Sequence, residues 1–219
     1  MVLKNTAVGL HSAVPPDWYH RSIYIDKNIF QKFVHERRFK KIGYFIEPTR
    51  GRILDIGCAD GVFTKIILDR SGAKEIIAVD VLESSIRWAK KHWRKEKRIQ
   101  FRVVDAHKLP YRNFSFDAVF ALEVLEHVFE PVKVLGEIKR LLKKGGYAIF
   151  LVPSESLVFK IVWFFWTKGK GKIWKGTHLH AYSGDFLNKL VRKVGFEVEE
   201  DKKIICGTLH LIKVRKVDR

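Results

Sequence analysis

From residue 53 onward, short apolar runs alternate with stretches whose apolar positions recur every three or four residues. Residues 53–56, 75–81, 99–105, 116–122 and 147–153 read as strands, rich in Ile, Val and Phe. Between them the period changes. Residues 62–71 predict a helix with Val62, Phe63, Ile66 and Ile67 on one face, and residues 84–95 a second through Ile86, Ala89 and Trp93. Residues 131–144 predict a third, with Val134, Leu135, Ile138, Leu141 and Leu142 inward and Gly145-Gly146 as its stop. Strands alternating with helices of this length imply a parallel sheet with right-handed crossovers.

The end of the chain breaks the alternation. A helix at 183–194, capped by Ser183 and closed by Gly195, precedes two strands at 196–201 and 207–215. Only Lys-Lys-Ile-Ile-Cys joins them, too short for a crossover helix, so they should pair antiparallel. Two segments fall outside this core, an N-terminal extension (1–46) and an insertion (154–182). Residues 1–26 read as irregular, and a helical pattern runs from Lys27 to just before Pro48. The whole of 1–219 is expected to form one α/β domain, with both additions at the carboxyl edge of the strands, where open sheets bind ligands. The apolar stretch from Tyr147 to Trp166 is not read as a membrane span: Pro153 stops a strand, Ser-Glu-Ser follows, and Lys160 interrupts the remainder.

Composition narrows the class. An apolar content of 47% with 13% aromatics excludes a disordered chain. Forty-two basic against 24 acidic residues give a net charge of +18, a field that favours phosphate-bearing partners. Two cysteines, Cys58 and Cys206, with no secretory pattern at the N-terminus, point to a reducing cytoplasm and no disulfide. Abundant Lys and Ile with a single Met give a bias seen in heat-adapted proteins.

The candidate chemistry sits at the strand ends. Ile-Leu-Asp-Ile-Gly-Cys-Ala-Asp-Gly (53–61) is a buried strand running into a small-residue turn. Asp55 in that strand is followed by Asp80 and Asp105, each near the end of the next strand. A glycine turn followed by two such acids is the pattern of a nucleotide-type cofactor site. The turn lacks the G-x-G-x-x-G spacing of nicotinamide enzymes.

This order of residues resembles the class I S-adenosylmethionine-dependent methyltransferases. Phe-Asp-Ala-Val-Phe-Ala-Leu-Glu-Val-Leu-Glu-His-Val (116–128) and Arg-Leu-Leu-Lys-Lys-Gly-Gly-Tyr-Ala-Ile-Phe-Leu-Val-Pro (140–153) are similar to stretches of the broad group that includes the ubiquinone-biosynthesis O-methyltransferases. The resemblance implies a Rossmann-like three-layer sandwich with a seven-stranded, mostly parallel sheet ending in an antiparallel pair. It implies S-adenosylmethionine as cofactor. Asp55, Gly57, Cys58, Ala59 and Gly61 would form the methionine end, with Ala59 where the family carries a further glycine. Asp80, with Val81, would accept the ribose hydroxyls, Asp105 and Ala106 would meet the adenine, and Leu122 and Glu123 would border the transferred methyl.

Acceptor-side expectations rest on less. The segment Lys-Gly-Thr-His-Leu-His-Ala-Tyr-Ser (175–183) resembles a stretch near the substrate pocket of the same enzymes, so His178 and His180 are candidate bases and Tyr182 a candidate pocket wall; the plain alternative is a loop ordered by its histidines. Glu123, Glu126 and His127 would share a helix face and offer metal ligands, but the same residues occur in relatives without a metal, and no metal is expected. A helix at 157–166, nearly all apolar and followed by Lys168, Lys170, Lys172 and Lys175, suits the interface of an anionic membrane. The expected reaction is therefore O-methylation of a lipid-like or small hydrophobic acceptor, by a cytoplasmic protein peripheral on the inner membrane face. An apolar lid over a small pocket is the plain alternative for that helix. RNA methylation through the basic runs 35–41 and 92–98, and a non-catalytic binding module, are the alternatives of other classes.

Overall fold

The computed structural model describes residues 7–26 and 29–217. Lys27, from which the first long helix was expected to run, and the first six residues of the extension lie outside the described residues. Two short helices, α1 (Ala7–His11) and α2 (Trp18–His20), with a π-helical turn at Arg21–Ile25, occupy a stretch expected to be irregular. They are followed by α3 (Ile29–Gly43). The core then alternates β1 (Arg52–Ile56), α4 (Val62–Ser71), β2 (Glu75–Asp80), α5 (Glu83–His92), β3 (Ile99–Val103), β4 (Phe116–Leu122), α6 (Pro131–Leu141) and β5 (Leu142–Pro153). The insertion forms α7 (Leu157–Lys168), and α8 (Phe186–Val194), β6 (Phe196–Ile204) and β7 (Leu209–Lys216) complete the chain.

The seven strands lie in the order β3-β2-β1-β4-β5-β7-β6. β1 to β5 pair in parallel, and β7 runs antiparallel to both β5 and β6. Alternate residues of each strand feed opposite layers. Leu54, Val119 and Phe150 pack under α6 and α8 through Leu135, Ile138 and Val191. Ile53, Phe120 and Ile149 share the other core with Ile42, Leu68, Ile86 and Ala89 of α3, α4 and α5. This is the mixed, mostly parallel α/β sandwich that the sequence pattern implied.

Several boundaries differ from the periodicity: α3 ends at Gly43, short of the stop expected before Pro48, α5 ends at His92 rather than 95, and β3 ends at Val103 rather than 105. The helix expected to reach residue 144 stops at Leu141, and β5 begins at Leu142. The register shifts between Phe116 and Ala118: Leu142 pairs with Phe116 but Tyr147 with Ala118, and left-handed Gly145 (φ 69°) lies in the bulge between. Lys143 is drawn to Asp117 by a 2.9 Å ion pair, an interaction that no helical period records. α8 starts at Phe186, with Asp185 rather than Ser183 at the cap position. β6 continues to Ile204, and the turn beyond it holds Ile205, Cys206 and Gly207 in left-handed conformation.

Candidate active site

The turn after β1 is fixed by backbone geometry. The amides of Gly57 and Cys58 both donate to the carbonyl of Val79 in β2 (2.8 and 3.0 Å). Gly57 has φ 72°, and a Cβ there would lie 2.4 Å from Val124 Cγ2. Gly61 (φ 79°) leads into α4, and its Cβ would strike Trp93 and Phe101 at 2.8 Å. Ala59 is also left-handed, at φ 46°. The further glycine that the resemblance implies at this place would therefore have a backbone reason as well as a steric one.

The acids converge on this turn. Asp80 Oδ2 accepts the Ala59 amide (2.9 Å) and Oδ1 the Leu82 amide (2.8 Å), locking the turn to the end of β2. Burial nonetheless raises its pKa. A carboxylate has about four acceptor sites, so two remain for hydroxyls of a ligand. Asp55 accepts the Thr64 hydroxyl (2.6 Å), and burial pushes it up to about 7. Burial would also raise Asp105, but the amide and ring of His107 (2.9 and 2.7 Å) hold it below the usual range. Burial raises the Cys58 thiol well above its ordinary value, and both cysteines are free.

Asp55, Gly57, Cys58, Ala59, Asp80, Val81, Asp105, Ala106, Leu122 and Glu123 line one cleft at the carboxyl edge of the strands. Gly61 does not line it but opens α4 beneath it. Further contributors were not among the predicted site residues. Asp60, in the same turn, accepts the His20 amide at 2.7 Å, and burial raises it to about 6. His11, Trp18 and Tyr19 of the N-terminal extension close the cleft from outside, meeting Trp174 of the insertion through His11 (6.1 Å) and Trp18 (6.0 Å). Asp60 was visible as a further acid in the turn; the aromatic wall had no signal, because no periodicity ties residues 11–19 to residue 174.

Glu123 departs from its expected grouping. It is left-handed (φ 58°), and only a single 3-10 turn, Leu125–His127, follows it, so no helix face unites it with Glu126 and His127. Its carboxylate takes both hydrogen bonds from Arg38 Nη1 in α3 (2.7 and 2.8 Å). This pair is largely buried, at 7% and 17% side-chain exposure, and Tyr19 adds a hydroxyl at 3.4 Å. Glu126, His127 and His178 are the residues brought together instead, with candidate ligand atoms within 4.8 Å of one another. Burial raises Glu126 and holds His127 down at about 3, and the His127 Nδ1–H donates to the Thr177 carbonyl (2.9 Å).

The three acceptor-side candidates part company. His178 and His180 line a second groove, between α7 and residues 175–181, with Glu155, Lys160 and Trp163. His178 lies 4.5 Å from the Trp163 ring on one side and 5.1 Å from His127, a cleft residue, on the other. Tyr182 lines neither cavity. It is 1% exposed, packed in the core beneath α8, and its hydroxyl donates to the Leu125 carbonyl (3.0 Å), so it anchors the segment and is not a pocket wall.

A methyltransferase-domain family model matches residues 54–150, the stretch that holds the turn, the acids and Glu123. The ubiquinone biosynthesis O-methyltransferase of Dinoroseobacter shibae is 30% identical over 179 residues, 74% of this chain and 66% of that one. The ubiquinone/menaquinone biosynthesis C-methyltransferase UbiE of Desulfotalea psychrophila is 25% identical over 179 residues, covering 74% and 72%. The chain belongs to the class I S-adenosylmethionine-dependent methyltransferases. The matches span about two thirds of these curated relatives, and the relatives differ in acceptor atom, oxygen in one name and carbon in the other. Among solved structures, a Pyrococcus horikoshii OT3 protein shares the methyltransferase fold at TM-score 0.70 and 21% identity, covering 91% of this chain and 98% of that one. The putative methyltransferase bound to the Trm112 activator in Haloferax volcanii does so at TM-score 0.71 and 18% identity, covering 86% and 93%. No helix among the described residues of this methyltransferase is long and apolar enough to cross a membrane.

Proposed function

We propose that this methyltransferase transfers a methyl group to an oxygen of a lipid-like or small hydrophobic acceptor presented at an anionic membrane surface. The observation that carries this reading is α7. Its outward side is apolar, with Leu157 74%, Phe164 54% and Phe165 68% exposed, and exposed Lys168, Lys172 and Lys175 follow. Rings at head-group depth and amines at phosphates are the contacts such a helix makes on a bilayer. The groove beneath α7 would receive the acceptor, and the whole chain would act as one methyltransferase domain with two substrate-side additions.

The cleft fits S-adenosylmethionine. The turn Gly57–Ala59 in the cleft wall, the Asp80 carboxylate and the buried Asp55 supply a close backbone surface, a hydroxyl acceptor and, when ionised, a counter-charge for an ammonium. In this reading Asp55, Gly57, Cys58 and Ala59 hold the methionine end, Asp80 and Val81 the ribose, Asp105 and Ala106 the adenine, and Leu122 and Glu123 the methyl end. The bound cofactor supplies an activated methyl, so the protein's task is alignment, worth up to roughly 7–11 kcal/mol in well-oriented cases. A hydroxyl acceptor also needs a base. His178 suits it: burial lowers its pKa, so the ring is neutral near pH 7 and can take a proton.

Feeding methyl-labelled S-adenosylmethionine to the protein with separate lipid, RNA and small-metabolite extracts tests the acceptor class; label in lipid or apolar metabolites is expected, and label confined to RNA overturns it. Flotation with anionic vesicles tests the surface. Wild type should float at low salt, and Phe164→Asp with Phe165→Asp should stay in the dense fraction while still binding cofactor.

A further inference from the structure

Neither the cleft nor α7 accounts for the charge carried beside β3. Between Glu83 and Arg98 the chain holds seven basic and two acidic residues. α5 turns Ser85, Ile86 and Ala89 inward and leaves Arg87, Lys90 and Lys91 exposed, and Arg94, Lys95 and Lys97 continue the exposed face towards β3. Glu83 and Glu96 are taken by Arg87 (2.9 Å) and Arg98 (3.2 Å). Lys90, Lys91, Arg94, Lys95 and Lys97 have no acidic partner among the described residues.

Rings gather along the same edge. His92 lies flat on Trp88, with centroids 4.4 Å apart and planes 12° apart. His20 stands edge-on to His92 (4.4 Å) and lies 5.0 Å from both Trp88 and Tyr24. Tyr24 is 62% exposed and His92 is exposed, so this cluster is open to solvent. The cofactor turn makes no use of these rings: its contact with His20 runs through the amide, to Asp60.

We infer that this face, formed by α5, the turn after it and the Arg21–Ile25 segment, binds a single strand of nucleic acid. Unpaired bases offer π-faces that stack on the open rings, while the unpartnered lysines and Arg94 take successive phosphates. An acidic protein would meet the cations without needing the rings, and a duplex keeps its base faces covered. A bilayer is disfavoured because α5 and the following turn expose no aliphatic side chain and the Arg21–Ile25 segment exposes Ile25 alone, in contrast to the run of apolar residues exposed on α7. The surface is separate from the acceptor groove and does not depend on the acceptor named above.

The test is fluorescence anisotropy with a labelled single-stranded RNA oligomer, alongside an RNA duplex of equal length, inorganic polyphosphate and anionic vesicles. The expected result is preference for the single strand, with affinity falling about a hundredfold between 50 and 200 mM salt if some five phosphates are engaged. Lys91→Glu with Arg94→Glu and Lys95→Glu should lower that affinity at least tenfold, and Trp88→Ala with His92→Ala about tenfold for the single strand with little effect on polyphosphate. Because Trp88 is half-buried, the charge reversals on exposed residues serve as the second, fold-neutral test, and unchanged S-adenosylmethionine binding checks that each variant is folded. Equal affinity for polyphosphate and single strand, indifference to the charge reversals, or dependence on these residues for vesicles alone would each overturn the inference.

Discussion

Asp55 keeps its proton near neutrality because it is buried with one hydroxyl partner and Asp80 close by. An ammonium brought into the cleft needs the ionised form. Donor affinity should therefore rise about twenty-five-fold as pH climbs from about 5.5 to 7.5, measured by calorimetry, and Asp55→Asn should be weaker at the upper end and flat above about pH 6.5. The same shift has a stability consequence with a defined sign. An acid raised from 3.8 to about 7 favours the folded state while protonated, and this contribution is lost as pH rises through about 7. Chemical denaturation of the unliganded protein should show that fall, and Asp55→Asn should reduce it. At His178 the expectation is kinetic: His178→Ala should lower kcat about a hundredfold and leave cofactor affinity unchanged, since the ring lies in the acceptor groove. Equal losses of affinity and rate would instead assign it a structural part.

At the scale of elements, α3 is tied to the end of β4 by a buried ion pair as well as by the core the two share. The Arg38 guanidinium, flanked by Tyr19, Phe39 and Phe63, holds the Glu123 carboxylate at the cleft. Arg38→Met leaves that carboxylate buried without its cation, and we expect a loss of about 3 kcal/mol, seen as a melting point lower by roughly 5–10 °C. Arg38→Met combined with Glu123→Gln should recover most of it, because the uncompensated charge is gone. This pairing also shows where the sequence was legible and where it was not. Asp55, Asp80 and Asp105 could be placed because each lies within two residues of the end of a strand whose apolar pattern is local. The terminal antiparallel pair followed from the shortness of its link. The Glu123–Arg38 pair is 85 residues apart in the chain, and the His178–His127 approach brings the insertion to the turn after β4. Neither leaves a period or a spacing to read. The grouping of Glu123, Glu126 and His127 failed because an assumed helix was a single turn after a left-handed residue.

For the molecule as a whole, the cleft is walled by segments far apart in the sequence: the N-terminal extension, the strand ends and Trp174 of the insertion. A ligand held there clamps all three. Binding of the demethylated cofactor product at about a hundred times its dissociation constant should add about 2.7 kcal/mol to unfolding stability, visible as a thermal shift of several degrees, and Asp80→Asn should lose most of it. The sheet order carries one more consequence. Of the seven strands described, β7 is the last to be made, yet it sits between β5 and β6 and supplies the backbone partners of both. During synthesis at about 5–20 residues per second, β5 leaves the ribosome with one flank bare and β6 with nowhere to dock. That raw strand edge, flanked by Phe150 and Leu151, is when this chain most needs a chaperone, and slowing translation near residue 200 should lower the soluble yield more than slowing it near residue 100.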